Sequence, residues 1–80
     1  MVSDLSCRGE VGVLIVGTRG ERGPGEVLVK IRGGSETFIA WSEDPLPKDT
    51  PVLIIEDRGG RTVDVVKWDT LSSDSLEELT

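Results

Sequence analysis

Eighty residues with a net charge of −6 and no histidine describe one small domain, and they exclude serine–histidine, cysteine–histidine and histidine–metal chemistry. The single cysteine, Cys7, has no partner in the chain, which excludes an internal disulfide and fits a reducing compartment. No run of about 18 apolar residues is present, and Met1-Val2-Ser3-Asp4 lacks the basic and apolar regions of a signal peptide, so the segment is expected to be soluble.

Met1 to Arg8 is polar and mixed, and reads as a loose segment in which Cys7 is incidental. A first strand is expected over Glu10–Val16, with Val11, Val13 and Ile15 on one face and Gly12, Leu14 and Val16 on the other. Being apolar on both faces, it should be central, and Gly12 should permit a bend or a close backbone approach. Gly17 to Gly25 holds four glycines besides a proline and predicts a loop. The second strand, Glu26–Ile31, turns Val27, Val29 and Ile31 one way and Glu26, Lys30 and Arg32 the other, with Leu28 the exception. Such alternation marks a half-buried antiparallel strand. Gly33-Gly34 offers the positive φ of a tight hairpin before a third strand, Thr37–Trp41, which sets Phe38 and Ala40 opposite Thr37, Ile39 and Trp41.

Ser42 to Pro51 contains Pro45, Pro47 and Pro51 and predicts a long extended loop. Val52–Glu56 is apolar over its first four positions and reads as a central fourth strand. Asp57 to Arg61 forms a second hairpin turn, and a fifth strand over Thr62–Trp68 points Val63 and Val65 inward, with Thr62 and Asp64 outward. From Asp69 to Thr80 the chain carries Asp69, Asp74, Glu77 and Glu78 without a lysine or arginine, so this tail holds −4 of the charge and reads as acidic and disordered. Five β-branched strands at short spacing predict an all-β fold, a small barrel or sandwich, over residues 9–68.

Few residues suggest chemistry. Arg-Gly-Gly occurs at Arg32-Gly33-Gly34 and Arg58-Gly59-Gly60, each between two strands, where a glycine pair serves a hairpin. Gly17 to Gly25 is followed by a strand, whereas a phosphate cradle needs a helix N-terminus after it. Glu43-Asp44 and Glu56-Asp57 are adjacent residues on extended chain; they point to opposite sides and do not converge on a cation. Trp41 and Trp68 end strands three and five, as core-edge packing, protein anchors or base-stacking platforms.

The glycine and valine framework from Gly9 to Trp68 resembles the soluble C-terminal domain of the NfeD family. Gly9-Glu10-Val11-Gly12 and Pro24-Gly25-Glu26-Val27 look like that family's first two strands; Pro51-Val52-Leu53-Ile54 and Gly60-Arg61-Thr62-Val63-Asp64-Val65 look like its closing ones. Gly33 to Trp41 looks most like the short actinobacterial forms. No leucine precedes Pro24, and Asp49 stands where glycine is usual. The resemblance implies a five-stranded OB barrel. It also implies a domain that follows membrane helices lying outside these residues, on the cytoplasmic side, in proteins associated with stomatin- and flotillin-like scaffolds. The serine–lysine protease part of long members has no counterpart here, so no catalytic residue, cofactor or metal is expected. The expected role is a protein-interaction domain whose contact surface is the outer barrel around Phe38, Trp41 and Trp68, with Arg19 and Arg22 adding charge pairing. The alternatives are a single-stranded nucleic-acid module using Arg32, Arg58, Arg61 and Trp41, and a domain for self-association.

Overall fold

The structure, a computed structural model, describes residues 7–31 and 33–68. The expected acidic tail, 69–80, the first six residues and Arg32 lie outside the described residues. Five strands follow one another: β1 (Val11–Val16), β2 (Gly25–Ile31), β3 (Gly34–Trp41), β4 (Pro51–Gly59) and β5 (Thr62–Lys67). Two strands are longer than sequence alone suggests. β3 starts at Gly34 because the β2–β3 hairpin pairs down to Ile31 and Gly34. β4 runs to Gly59 because β4–β5 pairing continues to Gly59 and Thr62. The link between β1 and β2 contains one turn of 3-10 helix, Gly20–Arg22.

The strands close a barrel in the order β1-β2-β3-β5-β4, with β4 returning to β1. All neighbours are antiparallel except β3 and β5. This is the OB-fold barrel. Closure pairs each strand on both sides over part of its length and so removes most of the free edge that a small sheet would otherwise expose.

The core is built from the inward residues of every strand: Leu14, Val27, Val29, Ala40, Val52, Ile54, Val63 and Val65. Two glycines make the first turn of the barrel possible. Gly12 faces inward opposite Val29 and Val52, and a Cβ there would lie 2.6 Å from the Leu28 carbonyl oxygen and 2.8 Å from Val27 Cγ2. At Gly25 a Cβ would collide with the carbonyls of Val16 and Gly17. The close approach expected at Gly12 is present.

Three expectations are corrected. β1 and β4 are central in the sense that each is paired on both sides, yet they are not buried on both faces. Val11, Ile15, Val16 and Ile55 are exposed. Val16 is outward although it is two residues from buried Leu14, because a bulge between them shifts the register and sets Val16 beside outward Glu26. Cys7 is not incidental to packing: it is 2 % exposed and belongs to the core. Its backbone N–H (3.3 Å) and thiol (3.6 Å) both point at Asp57 Oδ2 on β4. Gly9 N–H to Ile54 O (2.8 Å) and Ile54 N–H to Glu10 O (2.9 Å) continue the same seam.

Candidate functional site: a groove beside β5

Side-chain alternation puts Trp41 and Asp64 on the outer surface, one residue beyond buried Ala40 and Val63. Parallel pairing of β3 with β5 brings the two into register. Arg58 reaches them from β4, whose bulges between Ile54 and Glu56 and between Asp57 and Gly59 break the alternation. Its guanidinium forks onto Asp64, Nη2 to Oδ1 at 2.6 Å and Nε to Oδ2 at 2.9 Å. It also lies 5.9 Å from the Trp41 ring centroid, within cation–π range. The pairing raises the basicity of the guanidinium further, so Arg58 stays charged.

This cluster forms one wall of an open groove of about 810 Å³. Leu46, Ile55 and Val66 supply its apolar surface, and Glu21, Glu43, Asp44 and Glu56 line it as well. The opposite wall is held by buried Thr18. Ser42 donates to the Asp44 carbonyl (2.6 Å), which leaves the Thr18 hydroxyl as the donor to Ser42 Oγ (2.6 Å). Thr18 in turn accepts the Leu46 N–H at 2.9 Å, and its own N–H donates to the Leu46 carbonyl at 2.8 Å. The loop that sequence marks as extended is therefore tied down where it carries Glu43 and Asp44.

The residues expected to form a contact surface are not gathered in one place. Trp41 lines the groove. Phe38 lies on the inward side of β3, half-buried against the core, with the Arg61 guanidinium 5.5 Å from its ring. Arg61 is itself tied to Glu36 (2.6 Å) and to the Thr37 carbonyl (3.2 Å). Trp68 is 38 % exposed just past β5 and donates its backbone N–H to Pro51 O. Arg19 and Arg22 are exposed, but the groove meets their loop at Gly20 and Glu21, so that loop contributes a carboxylate and not a guanidinium. Among the described residues no group of three or more cysteines or carboxylates is placed to hold a metal ion.

Sequence reasoning grouped Arg58 with Trp41 only in the nucleic-acid alternative and missed its pairing with Asp64, as well as Ile55 and Val66 as exposed residues. The outward register of Asp64 was the available signal; the bulges in β4 hid the rest.

Residues 11–66 match the model of the NfeD C-terminal domain family. The chain belongs to that family. The NfeD-like domain is also similar to the soluble domain of the NfeD protein YuaF from Bacillus subtilis, with a TM-score of 0.69, 24 % identity, and coverage of 82 % of this chain and 79 % of that one. A second similar structure is the C-terminal domain of stomatin operon partner protein 1510-C from Pyrococcus horikoshii, at TM-score 0.55 and 25 % identity, covering 78 % of this chain and 88 % of that one. No curated protein matches the chain. Among the described residues no helix is long and apolar enough to cross a membrane.

Proposed function

We propose that this NfeD-like domain is a non-enzymatic protein-interaction module, carried by a membrane-associated protein, whose partner is a stomatin/flotillin-type scaffold. The observation that carries the reading is the apolar surface on the outside of β4 and β5. Ile55 and Val66 are 44 % and 42 % exposed, and they continue the groove toward Leu53, which register places between Val11 and Val66. Contiguous apolar surface of this kind on a small domain marks an association site. The similarity to a stomatin operon partner protein, together with family membership, suggests the class of partner.

The charge distribution favours a protein over nucleic acid. Arg58 is held by Asp64 and Arg61 by Glu36, and the groove beside Trp41 is lined by more carboxylates than cations. Phosphate backbones need the reverse.

Titration of the isotope-labelled domain with the soluble part of a stomatin/flotillin-type protein, and separately with a short oligonucleotide, tests the reading. Saturable amide shifts at Trp41, Ile55 and Val66 with the protein alone are expected. Shifts with the oligonucleotide that fade as salt rises would overturn it.

A further inference from the structure

The groove has a feature that an exposed apolar patch alone lacks: it runs along an open strand edge. Pairing between β3 and β5 stops at Trp41 and Asp64. β5 continues to Lys67, paired over Val65 to Lys67 with β4 on its other side. Among the described residues no strand lies against it on the groove side past Asp64. Such an edge beside a cleft accepts an extended peptide main chain to main chain.

Charge complementarity specifies the peptide. With Arg58 committed to Asp64, the groove keeps Glu21, Glu43, Asp44 and Glu56 against Lys67, a balance of −3. Those four side chains make no hydrogen bond or ion pair among the described residues. They are spread along the rim and not converged for a metal. Between them lie Ile55, Val66 and the Trp41 ring. Successive residues of an extended strand point to opposite sides, so a strand laid along β5 meets this surface best when basic and apolar residues alternate. The chain's own acidic residues 69–80 carry the wrong sign for this rim.

We infer that the groove between β5 and the Ser42–Leu46 loop docks an extended segment of a partner protein in which lysine or arginine alternates with a medium-sized apolar residue. The inference deepens the interaction role proposed above and rests on it. Rim carboxylates would speed and orient the encounter, and the apolar floor would hold the bound segment.

The test uses a fluorescent peptide of about eight residues, longer than a typical strand, alternating lysine with valine. A glutamate–valine peptide and a lysine–serine peptide serve as controls. The lysine–valine peptide is expected to bind saturably, with amide shifts at Ser42 to Leu46 and Val65 to Lys67. Both controls are expected to bind more weakly. The double variant E43K/E56K, both positions being exposed, should keep the core amide spectrum and weaken binding about tenfold or more. Equal binding of the glutamate–valine peptide overturns the inference; so does an affinity unmoved by E43K/E56K, or shifts confined to another face. A stomatin/flotillin-type protein that binds wild type and E43K/E56K equally sinks the groove inference while the interaction role stands. Charge-dependent peptide capture without any binding of that protein keeps the groove and removes the proposed partner.

Discussion

The two faces of the β4–β5 ribbon carry similar residues with opposite fates. Inward, Val52, Ile54, Val63 and Val65 are at most 1 % exposed. Outward, Ile55, Val66 and Trp68 remain 44 %, 42 % and 38 % exposed. Each buried aliphatic side chain contributes roughly 1.5–3 kcal/mol relative to an exposed one, so folding draws its hydrophobic stabilisation from the inner row. Ile55 and Val66 in the outer row are β-branched as well, which suits the strand, but within the domain the apolar area of that row gains little. The comparison teaches that strand-forming tendency and core membership are separate properties here, and that the surplus lies on the side where the groove is.

The comparison can be broken by substituting neighbours across the ribbon. Ile54→Ala is expected to cost about 2–5 kcal/mol in denaturant unfolding, because the side chain is fully buried. A cost below the change at the outer position Ile55 would end the distinction. Gly12→Ala tests the inner face from β1. Its Cβ meets the Leu28 carbonyl and the Val27 side chain, so a loss of about 1–3 kcal/mol is expected from overpacking, with a lowered melting temperature as the readout.

Acid should act on the seam that joins Cys7 to β4. The Asp57 carboxyl is held below its ordinary value of 3.8, chiefly by the Gly59 N–H; burial opposes this next in size, and the Cys7 N–H and thiol add smaller lowering effects. A depressed carboxylate stabilises the fold above its unfolded pKa, and that contribution is lost as pH falls through the folded pKa. Asp57→Asn should therefore flatten the stability–pH curve on the acid side of 3.8; an unchanged slope would sever the seam from folding. Burial first, and Asp57 second, pushes the Cys7 thiol up to about 11. That stabilisation of the neutral thiol is present below 9.0 and lost as pH rises toward about 11.

Smaller changes sharpen the contrast. Asp49, just before β4, has a φ of 75°, a left-handed conformation that costs an L-residue about 1–2 kcal/mol, less for aspartate. Asp49→Gly should raise stability by up to about 1 kcal/mol, since glycine relieves the strain and offsets part of the gain through its freer unfolded chain. Smallest of all, Ile55→Ser on the outer face should move stability by no more than about 0.5 kcal/mol, while weakening capture of the lysine–valine peptide.

Much of the fold was legible because β2 and β5 alternate in burial along most of their length. Val27 and Val29, or Val63 and Val65, announce one inward face by themselves, and the Gly-Gly pairs announce the hairpins. Asp49 was visible as a departure from the glycine that the resemblance implies, and its positive φ is a conformation that glycine adopts without strain. The groove was less legible. Trp41 and Asp64 were both readable as outward-facing residues, but nothing local says that β3 and β5 run side by side in parallel. Arg58 looked like a turn residue because the bulges that redirect it have no period to read.

The sequence alone determined the period-two faces, the turns, the single-domain size and the absence of histidine chemistry, because these depend on composition and on contacts between near neighbours. The tertiary structure decided which apolar residues are left outside, that Cys7 joins the core, and that carboxylates from four separated stretches line one groove beside an open edge. Those outcomes depend on strand order and on bulges that shift register by one residue, and only closure of the barrel brings the distant segments together.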